Sequence, residues 1–190
     1  MVSIIGDSYT AGSEMGGLKD KSWTALTNQA LIDAGKESVL SVSGKGGSGY
    51  VQAGPQQTTF GSEVPKVVTP ESDVIVFFGS RNDIKATPVE VKTAASAAYA
   101  EAKAIAPQAK LLVIGVPWTN EDVPTNAVVT NRAVSAAAAE AGATFIDPQA
   151  EGWFYGENAG LIGTDKVHPV DEGHIYMTKL IEPRILSALG

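Results

Sequence analysis

Short apolar runs of strand length alternate along the chain with longer stretches of helical period. Val2 to Ile5 reads as a first strand, and Ser38 to Ser43 as a second. Val74 to Phe78 and Lys110 to Gly115 are near-continuous apolar runs, the pattern of strands buried on both faces. Ala143 to Ile146 is a fifth. Between them, Ser22 to Ala34 places Trp23, Leu26, Ala30, Leu31 and Ala34 on one helical face, with Gly35 as the stop. Pro88 opens a helix running to about Ala106, since a proline costs nothing at the first helical position. Asn126 to Ala141 is an alanine-rich helix closed by Gly142. A last helix runs to about Leu189, with Asp171 as its cap, Ile175, Leu180, Ile181 and Ile185 turned inward, and Pro183 expected to strain or kink it. Gly44-Lys45-Gly46-Gly47-Ser48-Gly49 is a loop, because so many glycines weaken either regular element.

Strands alternating with helices predict a parallel sheet covered on both faces. Right-handed crossovers then give an α/β three-layer sandwich. The expected sheet is flavodoxin-like and five-stranded, in the order 2-1-3-4-5, with the working site beyond the carboxyl ends of the strands. No repeat or linker interrupts the pattern, so residues 1–190 are expected to form a single domain.

Composition narrows the function. Hydrophobic residues make up 44% and charged residues 18% of the 190, a globular balance. The net charge of −7 and the lack of any Lys/Arg run argue against a nucleic-acid partner. The chain contains no cysteine, which removes thiolate nucleophiles and cysteine-based metal sites. No apolar stretch approaches a membrane span. Met1 to Gly6 is too short, and lacks the basic flank, for a signal peptide. A cytoplasmic protein and a domain of a larger surface or virion protein both fit.

Four clusters follow predicted strands. Ser8 sits on the turn after the first. A serine hydroxyl needs a neighbouring base to become a nucleophile, and by itself Ser8 reads equally as a turn or capping residue. The backbone amides of the glycine loop can converge on an anion, or the loop can be a plain connector. It matches neither a Walker pattern nor a dinucleotide fingerprint opening a helix. In Gly79-Ser80-Arg81-Asn82-Asp83, the Asn82 amide can donate to a developing oxyanion, or Asn82 or Asp83 can simply cap a helix. In Asp165-Lys166-Val167-His168-Pro169, the carboxylate stands three residues before one of only two histidines. An Asp there can accept the imidazole Nδ1–H and leave Nε2 to take a serine proton. A metal set of Asp165, His168, Asp171 and His174 is the weaker alternative, because Pro169 breaks the backbone between the histidines and Asp171 suits a cap.

In their order, these clusters resemble the four blocks of the SGNH/GDSL hydrolase superfamily. Gly6-Asp7-Ser8-Tyr9 is similar to the nucleophile block, Gly79-x-x-Asn82-Asp83 to the GxND block, and Asp165-x-x-His168-Pro169 to the DxxH block. The glycine loop stands for the remaining one, without the asparagine often found a few residues earlier. The blocks span residues 6 to 169. The resemblance implies Ser8 as nucleophile, His168 as base and then acid, and Asp165 as the residue that orients it. The implied oxyanion donors are the Ser8 N–H, the Asn82 amide and one loop glycine N–H. Gly47 is preferred because Gly47-Ser48-Gly49-Tyr50 resembles a common form of the block, with Gly46 and Gly44 the alternatives. The α/β-hydrolase pattern fits less well, for no Gly-x-Ser-x-Gly occurs.

The expected activity is hydrolysis of a short-chain acyl ester, acetyl above all, of a carbohydrate or small alcohol. No metal or organic cofactor is expected. Tyr50, Arg81, Trp118 and Trp153 are the candidate substrate contacts. Two alternatives stand beside this: a carbohydrate-binding or adhesion module that retains the fold, and a lipid esterase or lysophospholipase.

Overall fold

A computed structural model describes residues 1–36 and 39–190. Five strands form one parallel sheet: β1 (Val2–Gly6), β2 (Leu40–Gly44), β3 (Val74–Phe78), β4 (Lys110–Ile114) and β5 (Thr144–Ile146), in the order β2-β1-β3-β4-β5. This is the order expected from the alternating pattern. Ser38, the expected start of the second strand, lies outside the described residues.

The sheet separates two apolar layers, because side chains alternate across a strand. On one face Ile5, Ile75, Phe77, Leu111 and Val113 pack against α3 (Phe60–Val67), α4 (Pro88–Ile105) and α5 (Thr125–Glu140). On the other, Ile4, Val74, Val76, Phe78, Leu112 and Ile114 meet α2 (Trp23–Asp33) and α6 (Asp171–Leu189). The central strands β1 and β3 are buried throughout, whereas β2 is an edge whose Val42 is exposed. A one-turn helix, α1 (Ser8–Ala11), follows β1 directly. Among the described residues, no helix is long and apolar enough to cross a membrane.

Several local expectations change. Helix α3 was not among the expected elements, and Pro65 lies inside it. Its signals were nonetheless present: Thr59 and Ser62 form a capping box, and Phe60, Val64 and Val67 recur on one buried face. In α2, Ala34 is exposed beyond the last turn, and the buried face is Trp23, Thr24, Thr27 and Leu31. In α6, Val170 occupies the cap position and Asp171 is the first helical residue. The Asp171 carboxylate instead accepts from the Gly17 N–H at 3.0 Å and from Lys21 Nζ at 2.5 Å, so tertiary partners have taken the group expected to cap. Ile175 is exposed. The inward stripe is His174, Met177, Ile181 and Ile185, with Leu180 at its half-buried edge. The helix also continues through Pro183, which lies on its exposed side.

His174 is fully enclosed. Its Nδ1 accepts from the Trp23 N–H at 3.3 Å, which places the proton on Nε2, an atom without a partner among the described residues. The imidazole lies over Gly17, where an added Cβ would fall 1.9 Å from Nε2. Burial pushes its pKa down to about 4, against the pull of Asp171. The unfolded chain therefore takes up this proton near pH 6.5, and the folded chain only near pH 4. Between those values the unfolded state binds more protons, so the contribution of His174 to stability falls as pH falls. His174→Asn, whose Oδ1 can replace Nδ1 as acceptor, is expected to lose its disadvantage relative to wild type as pH drops from 7.5 to 4. The convergence is on the order of 3 kcal/mol, read from denaturant unfolding of both proteins. Parallel pH profiles would rule it out.

Candidate active site

The three groups singled out at Ser8, Asp165 and His168 meet at the carboxyl edge of the sheet. Ser8 Oγ lies 3.0 Å from His168 Nε2, and His168 Nδ1 lies 2.6 Å from Asp165 Oδ2. They come from opposite ends of the chain and are held by local turns. Gly6 ends β1 where a Cβ would strike the Thr10 hydroxyl at 2.2 Å, so the chain can turn at once into α1. Asp7 caps that turn, its Oδ1 accepting from the Tyr9 N–H at 2.9 Å. On the other side, Asp165 Oδ1 accepts from the N–H groups of Val167 and His168, both at 2.9 Å. Lys166 sits at φ 60° to close this loop, and the Thr119 hydroxyl donates to its carbonyl at 2.9 Å. The Tyr9 hydroxyl donates to the Val167 carbonyl at 2.5 Å, tying the serine turn to the histidine loop.

These contacts set the charge state of Asp165. Partial desolvation would raise its carboxyl, but the imidazole and two backbone N–H groups outweigh it and hold the pKa at about 2. A carboxylate ionised at every working pH can fix the tautomer that leaves Nε2 facing Ser8 as an acceptor.

Asn82 and Asp83 share a short 3-10 turn, Arg81–Asp83, after β3. The Asn82 Nδ2 donates to the Ser48 carbonyl at 2.8 Å and to Asp7 Oδ2 at 3.3 Å. Asp83 receives the N–H groups of Tyr50, Val51 and Gln52 at 2.7, 3.0 and 2.8 Å. Gly49 makes this clamp possible, since its Cβ would lie 2.4 Å from the Asp83 carboxylate oxygens. The clamp fixes the glycine loop against the β3 turn. Burial raises the pKa of Asp83 in spite of those donors, and pushes Asp7 up to about 7.

The glycine loop separates its own candidates. Gly44 ends β2 against α1, where a Cβ would fall 2.7 Å from the Ala11 nitrogen; it does not line the cleft. Gly46 and Gly47 both do. Among the described residues, the N–H groups of Ser8, Gly46 and Gly47 donate to no protein acceptor. Three unused donors therefore border the cleft beside the Asn82 amide.

The cleft holds ≈ 820 Å³ in front of Ser8 and His168. Of the expected substrate contacts, only Arg81 lines it; its guanidinium stacks 3.9 Å from the centre of the Trp118 ring. Trp118 is buried behind Arg81 and does not reach the cleft. Tyr50 and Trp153 are core residues. The Tyr50 hydroxyl bonds that of Tyr99 at 2.6 Å and its ring packs on Phe60, while Trp153 packs on Phe78 and Phe154. Large rings with one polar atom satisfied from within were better used in the core than at a rim. Gln52, Gln57 and Lys85 form wall positions that carried no sequence motif.

The remaining titratable candidates do not gather. Asp171 and His174 make the separate contacts described above. Among the described residues, no group of three or more His, Cys, Asp or Glu side chains is placed to hold a metal ion.

The three-layer fold, with serine, histidine and aspartate in sequence at its carboxyl edge, defines a serine ester hydrolase of the SGNH type. Residues 4–175 match the GDSL-like lipase/acylhydrolase family, and the chain belongs to it. It is 41% identical to a GDSL lipase of Mycobacterium tuberculosis, over 99% of this chain and 82% of that protein. Among solved structures it is similar in fold to TesA, with a TM-score of 0.81 and 21% identity over 99% of both chains. It is also similar in fold to a family two carbohydrate esterase from Clostridium thermocellum, solved with cellohexaose. There the TM-score is 0.76 and the identity 17%, over 100% of this chain and 64% of the other.

Proposed function

We propose that this acylhydrolase cleaves short-chain acyl esters, acetyl above all, of a carbohydrate or small alcohol through an acyl-enzyme. The observation that carries the reading is the continuous chain Ser8 Oγ–His168–Asp165 opening on a cleft. In the first half-reaction Ser8 Oγ attacks the ester carbonyl while His168 Nε2 takes its proton. The oxyanion forms against the N–H of Ser8, the N–H of Gly47 with Gly46 beside it, and the Asn82 amide. His168 returns the proton to the departing alcohol oxygen. In the second half a water attacks the acyl carbonyl and gives its proton to His168, which passes it to Ser8 Oγ as the Oγ–acyl bond breaks and the acid departs. Asp165 stays ionised throughout. Gln52, Gln57, Arg81 and Lys85 place polar groups on the wall beside Ala53, Pro55, Ile84 and Val167, which supports a small alcohol that carries polar groups.

Two measurements test this. A fluorophosphonate probe is expected to add its mass to the peptide carrying Ser8 and to no other. A panel of p-nitrophenyl esters from acetate to laurate, with acetylated sugars alongside, is expected to give kcat/KM falling with acyl length. An unlabelled Ser8, or a preference for laurate, would sink the corresponding half of the proposal.

A further inference from the structure

The cleft carries a charge that the rest of the protein does not explain. The chain bears −7 overall, yet the charged side chains added to the cleft wall beyond Ser8, His168 and Asn82 include two cations, Arg81 and Lys85. Neither makes an ion pair among the described residues. Among the described residues the one carboxyl on the wall is Asp7, which is enclosed and, with burial raising its pKa to about 7, only partly ionised near neutrality. Arg81 is also built into place. Its guanidinium carbon lies over the Trp118 ring, 3.9 Å from the ring centre, while the residue also lines the cleft. Stacking of this kind holds a guanidinium rigid and costs it little hydration, leaving its N–H edge to recognise a planar or tetrahedral anion.

We infer that Arg81, with Lys85 beside it, recognises a negatively charged group on the substrate, and that this group sits on the alcohol part of the ester. The placement rests on the short-acyl reading above, because an acetyl group has no position for a second charge. The substrate class is then a short-chain acyl ester of an alcohol bearing a carboxylate, sulfate or phosphate. The anion takes no part in bond making. It orients the alcohol so that its oxygen leaves toward His168, and a fixed charge pair in a partly desolvated cleft is worth more than the same pair in water.

A matched pair of acetates tests this: 3-acetoxybenzoate, with 3-acetoxybenzenesulfonate as a second anion, against the neutral 3-acetoxybenzamide. Wild type is expected to prefer at least one anion over the amide in kcat/KM by about tenfold or more, mainly through KM. The preference should shrink as ionic strength rises. In Arg81→Gln it should collapse toward unity, and in Arg81→Lys it should fall between, since the charge remains but the stacked fork is lost. The readout is the anion-to-amide ratio within each protein, so a general loss of activity does not mimic the effect. A ratio near one in wild type, or one unchanged in Arg81→Gln, overturns the inference. If wild type cleaves the amide probe and Ser8 is labelled, the esterase proposal survives that outcome. If Ser8 is not labelled, both fall.

Discussion

Replacing Ser8 with alanine is expected to lower kcat toward p-nitrophenyl acetate by roughly 10⁴- to 10⁶-fold, the range seen when a nucleophile of this kind is removed. The size follows from the arrangement rather than from the single contact. Without Oγ there is no acyl-enzyme, and His168 Nε2, 3.0 Å away in the wild type, has no hydroxyl to deprotonate. What remains is general-base attack by water beside the oxyanion donors, a route that retains a small residual rate. On the proposed mechanism the three groups act as one unit, so Ser8→Ala/His168→Ala is expected to be no slower than Ser8→Ala within about threefold. Additive losses in the double variant would mean that Ser8 and His168 work in separate steps. Stability supplies the control. The substitution deletes one half-buried hydroxyl, so the unfolding free energy should move by no more than about 1 kcal/mol. A folded Ser8→Ala protein with activity within tenfold of wild type would remove Ser8 from the mechanism.

That constellation was legible in the sequence because each part is a local motif at a predicted strand end. Strand ends on one edge of a parallel sheet are neighbours in space, even though Ser8 and His168 stand 160 positions apart. The alternating pattern carried the parallel sheet because buried strands and long periodic helices leave strong signatures, while its order came from the flavodoxin-like expectation. What stayed hidden depended on three-dimensional company. Asp83 reads as a helix cap in the sequence, but accepts three N–H groups from residues 50–52, a partnership that exists only once β2 and β3 flank β1. Tyr50 and Trp153 follow predicted strands like rim residues, yet their rings were drawn into the two core layers. Gln52, Gln57 and Lys85 carry no pattern, because a cleft wall needs position rather than periodicity. Helix α3 went unread, although its capping box and buried stripe are local signals that outweigh the hydrogen bond Pro65 lacks.

Asn82→Ala is expected to lower kcat by about 10²- to 10³-fold with little change in KM, equivalent to about 3–4 kcal/mol at the transition state. In the resting enzyme both hydrogens of the Asn82 amide are aimed at protein acceptors, at 2.8 Å to Ser48 O and 3.3 Å to Asp7 Oδ2. The longer contact is the weaker, and it is the one an oxyanion can displace. Asp7 makes that exchange easy near neutrality. With its pKa pushed up to about 7, it is substantially protonated there and a poorer acceptor than an ionised carboxylate would be. Stability should change far less than rate, because Ser48 O keeps the Ser80 hydroxyl at 3.3 Å as a donor after the amide is gone. Asn82→Asp sharpens the test. It is nearly isosteric, yet it replaces a donor with a negative charge facing both Asp7 and the developing oxyanion. Above pH 7 it should therefore be at least as slow as Asn82→Ala, although it fills the same space. An Asp variant near wild-type rate, or an alanine variant that loses only KM, would mean that Asn82 packs the cleft and gives nothing to the oxyanion.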